Sequence, residues 1–248
     1  MSRAVTRAQE PPPLVGGGRA MELGIFETLL DQRVAAPAPG FEGLSVERVY
    51  VGSHSDAVEA IEGGYAESPA LIAVWDGYEA GLGCPMLCLD FWDSSDPTDP
   101  DAMSAEEGRR VCEFVKAHAE ARTLVVSCEC GISRSAGMAS ALCRLLGFDD
   151  GPLWRDWWKW PNRACLERVL RAGGVALTDE EAMALYEGSM RYFAAELNVN
   201  RESLQSQYFK VWLPWRERGL DEEELWELEE RFDKVLDGIF KEKEGSDA

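Results

Sequence analysis

The run Leu124-Val-Val-Ser-Cys-Glu-Cys-Gly-Ile-Ser-Arg-Ser-Ala-Gly137 constrains this chain more than any other stretch. An apolar strand signal ends in Cys128, and a short loop carrying Gly131 follows. Helical spacing then begins at Arg134, with Ala136, Ala139, Leu142, Cys143 and Leu146 recurring and Gly147 closing the helix. A strand joined to a helix through so short a loop belongs in a sheet flanked by helices, with the loop at the strand's carboxyl end. Glu129, Cys130, Gly131, Ile132, Ser133 and Arg134 form a loop short enough for its N–H groups to converge on one centre. Such a nest at a helix N-terminus binds a dianion. Gly131 allows a turn that a side chain would hinder. Arg134 presents a planar fork matched to two phosphate oxygens. The same positive field favours the thiolate of Cys128, its reactive form. Ser135 is placed to donate a hydrogen bond to that sulfur. The expected site is a phosphate cradle with a nucleophile at its base.

The rest of the chain organises around this run. Residues 1–20 carry Pro11-Pro-Pro13 and Gly16-Gly-Gly18 and read as a disordered leader. Residues 21–43 read as a short helix over 21–34, ended by Pro37 and Pro39, and a linker. Residues 44–175 alternate short apolar strands with helical pieces such as Asp56–Glu62. Ser104-Ala-Glu-Glu107 is a capping-box signal for a helix reaching about Ala121. Residues 176–248 read as a C-terminal helical extension. It comprises a helix from Thr178 to about Leu197, a short one within 203–218 broken at Pro214, and a last one from Asp221 to about Ile239. The expected fold is α/β, with a mainly parallel central sheet flanked by helices.

With these residues in place, the chain resembles the cysteine-dependent protein tyrosine phosphatases, in particular the dual-specificity-like branch and its small bacterial members. The family signature of Cys, five residues, Arg and then Ser or Thr is matched by Cys128, Arg134 and Ser135. The resemblance covers about residues 44–172. Val49–Ala57 looks like the family's opening strand and turn, Ala70–Trp75 like a core strand, and Met86–Asp93 like the strand feeding the acid loop. Pro161-Asn-Arg163 resembles a motif that follows the core helices. The resemblance implies hydrolysis of a phosphomonoester through a phosphocysteine, with an aspartic acid as general acid and no cofactor. The family's acid lies upstream, where this chain offers Asp93, Asp96, Asp99 and Asp101. Asp93 is favoured because it directly follows the apolar strand, and Asp96 is second. One position departs from the pattern: the family places histidine just before the nucleophile, and here it is Ser127, which keeps a hydrogen bond but carries no imidazole. That departure implies slower chemistry. It also leaves two alternatives open: a weak or inactive module that binds phosphorylated ligands, or a phosphatase of a non-protein ester. Glu129 and the lack of lysine in the loop disfavour inositol polyphosphates.

A net charge of -20 argues against nucleic-acid binding. No apolar run approaches a membrane span, and the start lacks the apolar stretch of a secretory signal. Seven cysteines beside a thiol-dependent motif suit a reducing cytoplasm. No metal is implied, because Cys128 and Cys130 lack two further ligands at readable spacing. The expected partner is a phosphorylated protein or small phosphoester. Association through the C-terminal helices is a second reading beside their packing on the core. Trp154-Arg-Asp-Trp-Trp-Lys-Trp-Pro161 reads as packing or as an aromatic wall, with Arg155, Lys159 and Arg163 as added charge near a phosphosubstrate. Cys88 is a candidate resolving thiol, provided its strand neighbours that of Cys128.

Overall fold

The computed structural model describes residues 27–74, 81–95, 98–204, 230 and 233–241. Its described strands form one five-stranded sheet. They are β1 (Thr28–Leu30), β2 (Arg48–Ser53), β3 (Pro69–Val74), β4 (Met86–Leu89) and β5 (Thr123–Cys128). The order is β1-β2-β5-β3-β4, so β5 is central. All neighbours are parallel except the antiparallel edge pair β1–β2. The helices are α1 (His54–Glu62), α2 (Ala105–Ala117), α3 (Arg134–Leu146), α4 (Gly151–Arg155), α5 (Arg163–Ala172) and α6 (Asp179–Ala195). This is the α/β architecture expected from the alternating pattern.

Side-chain alternation sorts the strands between two cores. Val49, Val51, Ile72, Val74, Leu124, Val126 and Cys128 face the layer of α2, α3 and α5. Tyr50, Leu71, Ala73 and Val125 face the opposite way, onto Ala57 and Ala60 of α1. Strands buried on both faces read as continuous apolar runs, which is why Leu-Val-Val announced β5 so clearly. Helix α3 lies between the sheet and α5 and is buried nearly all round. Its Gly147 cap has φ 80°, as an αL terminus requires. Capping boxes start α1 at Ser53, α2 at Ser104 and α6 at Thr178, each worth about 1 kcal/mol. Helix α2 ends at Ala117, short of the expected Ala121.

Two expectations are corrected at the amino end and in the sheet. The helix expected over 21–34 is strand β1 at Thr28–Leu30, and residues 21–26 lie outside the described set. Leu29 and Leu30 go to opposite faces of the sheet, so pairing with the edge of β2 outweighs helical spacing in this short segment. Cys88 pairs with Ala73, which in turn pairs with Ser127. It therefore lies two strands from β5, at about 4.8 Å per step, too far for a disulfide with Cys128 without moving the backbone.

Beyond the sheet, α6 packs with residues 201–204 and 233–241 around a second, smaller apolar cluster. Met190, Phe193, Leu204, Leu236 and Ile239 form its centre, with Trp157 and Trp160 packed against it. The expected helix at 203–218 and the start of the last helix lie mostly outside the described residues. Among those described, no helix is long and apolar enough to cross a membrane.

Candidate active site

Cys128 ends the central strand with its thiol buried, 2% exposed. Its Sγ lies 3.1 Å from the hydroxyl of Ser135, in the first turn of α3. Gly131 turns the loop at φ +69°, and a Cβ there would stand 2.5 Å from the Gly52 carbonyl carbon and the Ser53 nitrogen. The loop therefore rests directly on the β2–α1 junction, and only glycine allows that contact. Gly137 plays the matching part in α3, where a Cβ would meet the Asn162 carbonyl at 2.3 Å.

Arg134 opens α3 with a guanidinium whose side chain is 15% exposed. One of its terminal nitrogens donates to the Phe91 carbonyl at 3.2 Å. Its two carboxylate neighbours stand further off, Asp93 at 3.7 Å and Glu129 at 3.9 Å. Its Nε is buried and makes no hydrogen bond among the described residues. Buried donors are ordinarily matched, so this cation is under-supplied with acceptors beside a buried thiol and a helix N-terminus.

Asp93 reaches the same rim from the segment after β4. Its Oδ1 accepts from Ser133 Oγ at 2.7 Å and from Asn162 Nδ2 at 2.9 Å. Asn162 also donates to the Ser94 carbonyl at 3.0 Å, and its own Oδ1 caps α5 by accepting from the Cys165 N–H. Ser133, spent on Asp93, makes no side-chain cap for α3. Asp99 and Asp101 are used in their own turn: the Asp101 N–H donates to Asp99 at 2.8 Å. A hydrogen bond from Ser94, and then that from Asp101, hold the Asp99 carboxyl below its usual range. Asp96 lies outside the described residues. Glu129, with its side chain 81% exposed, and Cys130 sit at the solvent side of the loop. Partial burial, then the charges of Glu129 and Cys128, raise the Cys130 thiol.

The position that departs from the family pattern has a histidine in space. Alternation turns Ser127 away from Cys128, toward α1, and His54 opens α1 there. His54 Nδ1 and Ser127 Oγ are 3.3 Å apart. Burial, then the charge of Arg134, lowers the imidazole below its usual value. Sequence reading missed this pair because 73 residues separate its members. The available signal was the parallel pairing of two strands ending at Ser53 and Cys128.

The tryptophan segment divides. Trp154 is buried and donates to Asp150 at 2.9 Å. Trp157 stacks edge-on with Trp160 and with Phe193, and Trp160 lies tilted against Phe193. Trp158 stays exposed, as does Trp92 beside Asp93. The basic residues do not gather as expected. Arg163 is buried in ion pairs with Glu167 and Asp179, and Arg155 faces Asp149. Lys159 is buried beneath the loop.

No protein-family model matches the chain, and no curated protein does. Solved structures similar to it include that of DUSP15, at 16% identity over 58% of this chain and 92% of that one, with a TM-score of 0.37. Tk-PTP in its active form is 17% identical over 63% and 97%, with a TM-score of 0.30. PTPMT1 in complex with PI(5)P is 14% identical over 62% and 95%, with a TM-score of 0.27. At such identities and scores the likeness carries no argument about activity, which is taken from the residues alone.

Proposed function

We propose that this chain is a phosphomonoester hydrolase of the cysteine-dependent tyrosine and dual-specificity kind, acting through a phosphocysteine. The observation that carries the reading is the part-buried guanidinium of Arg134, its Nε without a hydrogen bond among the described residues, at the mouth of a loop whose floor is the Cys128 thiol. A phosphate dianion supplies the acceptors that Arg134 lacks and neutralises the helix end. With the phosphate held, Cys128 Sγ attacks phosphorus while the bond to the ester oxygen breaks. Asp93 gives that oxygen its proton. Water then attacks the phosphocysteine, Asp93 takes a proton from it, and the sulfur–phosphorus bond breaks to release inorganic phosphate. Ser135, at 3.1 Å, hydrogen-bonds the departing thiolate.

The test is hydrolysis of an aryl phosphate in the presence of EDTA across pH 5–8. Wild type should turn over. Cys128→Ser and Arg134→Ala should each lose more than about 10³-fold, since parts of one catalytic unit fail together. A wild-type chain that binds inorganic phosphate without hydrolysing the ester would favour the binding-module reading, which Ser127 motivates. Restored turnover in Ser127→His would establish it as a weakened enzyme.

A further inference from the structure

Three successive carbonyls of the loop are received by one outside segment. Lys159 Nζ donates to the Gly131 carbonyl at 2.6 Å. The Trp160 N–H donates to the Ile132 carbonyl at 3.0 Å, and the Asn162 N–H to the Ser133 carbonyl at 3.1 Å. In a trans peptide the N–H points opposite to the C=O. Holding these three carbonyls outward therefore turns the N–H groups of Ile132, Ser133 and Arg134 inward, toward the place where an anion would sit. Residues 159–162 thus brace the nest from behind. Two of the three donors are backbone groups that almost any residue would supply. The third is a lysine, 1% exposed, with its ammonium against a peptide.

A buried ammonium is costly to hold. Burial lowers Lys159 to about 8, while Asp156, Cys128, Asp56 and Glu27 act in the opposite sense. Near neutral pH it is therefore a cation. Its hydrogen bond polarises the Gly131–Ile132 peptide, which strengthens the Ile132 N–H as a donor. Its charge also interacts favourably with that of a Cys128 thiolate. A neutral side chain of equal length would fill the space and do neither.

Building on the hydrolase reading, we infer that Lys159 is a positioning residue of the phosphate loop, an internal cation that fixes and polarises the Gly131–Ile132 peptide and supports the Cys128 thiolate. It touches no substrate. Its effect passes through the loop amides and the sulfur.

One assay reads both effects without turnover: the rate of iodoacetamide alkylation of Cys128 against pH, with and without inorganic phosphate as protectant. In Lys159→Met the alkylation profile should move to higher pH. The phosphate concentration for half-protection should rise about tenfold, the scale of one charge-assisted hydrogen bond. Lys159→Gln, which keeps a donor without the charge, should recover part of the protection but retain the displaced profile. A profile and protection equal to wild type in both variants would overturn the inference. So would variants that only melt at lower temperature, since a purely structural lysine would change stability and leave the thiol profile in place. If wild type itself hydrolyses no ester and phosphate does not protect Cys128, it is the hydrolase reading that falls.

Discussion

The Cys128 side and the Asp93 side of the proposed site are built in different ways. Cys128 is set by sheet register: Ser53 stands opposite it on β2, and Gly131 rests on Gly52 with no room for a methyl group. Asp93 stands on a segment outside the sheet, 43% exposed at its side chain, and is held on one oxygen by Ser133 and Asn162, with Arg134 3.7 Å from the other. One side is rigid because the fold cannot form otherwise. The other is positioned by side-chain hydrogen bonds that could be lost with the fold intact. Damage to the first should therefore cost both stability and activity, and damage to the second activity alone.

The largest separation is expected from Asp93→Asn. The amide oxygen still accepts from Ser133 and Asn162, so the melting temperature should hold. Turnover of an aryl phosphate should nevertheless fall by about 10²–10³-fold for want of a proton donor. A normal rate would move the acid role to Asp96. Gly131→Ala is the counterpart on the rigid side. Its Cβ meets backbone at 2.5 Å from a left-handed conformation. Activity should fall about 10²-fold through displacement of the loop, with a loss of about 2 kcal/mol in denaturant unfolding. An unchanged melting curve would show that the sheet side is softer than its packing implies.

Asn162→Ala sharpens the contrast. It removes the amide that holds Asp93 and also the cap of α5, so turnover should drop about tenfold, with about 1 kcal/mol of stability lost. Asn162→Ser should restore the cap but not the turnover. The smallest effect concerns His54. Its folded value lies below the usual 6.5, so below that pH the unfolded chain binds the proton more readily. The stability this residue contributes is thus complete above 6.5 and is lost as pH falls through its folded value. His54→Gln should flatten chemical-denaturation stability across the window just under pH 6.5. A curve as steep as that of wild type would assign the acid sensitivity elsewhere.

The same contrast explains how much the sequence could tell. The strand, turn and helix around Cys128 are contiguous, and each step obeys a local rule: an apolar run, a glycine at positive φ, a helical repeat ended by Gly147. All were legible. Asp93 was favoured only for its place directly after the apolar strand, and the pair of donors that holds it, 40 and 69 residues away, was not legible. His54 was given no role of its own, and Lys159 was read as added charge near a phosphosubstrate. Their places follow from strand pairing and from the course of the chain after α4, which no local pattern encodes. The helix expected at 21–34 failed for a related reason, since an edge strand draws its hydrogen bonds from a partner distant in sequence.

Trp160 has one further consequence. Its indole belongs to the small apolar cluster with Phe193, and its amide holds the Ile132 carbonyl of the loop after Cys128. The residue is a hinge pin shared by two parts that look separable on paper. A chain cut after Val175 would keep the thiol, the arginine and the aspartate, yet it would strip the lining from the ring whose backbone steadies the cradle. The chemistry proposed at residue 128 therefore has part of its foundation beyond residue 190, and the boundary of the proposed catalytic unit is better drawn by that foundation than by the signature motif.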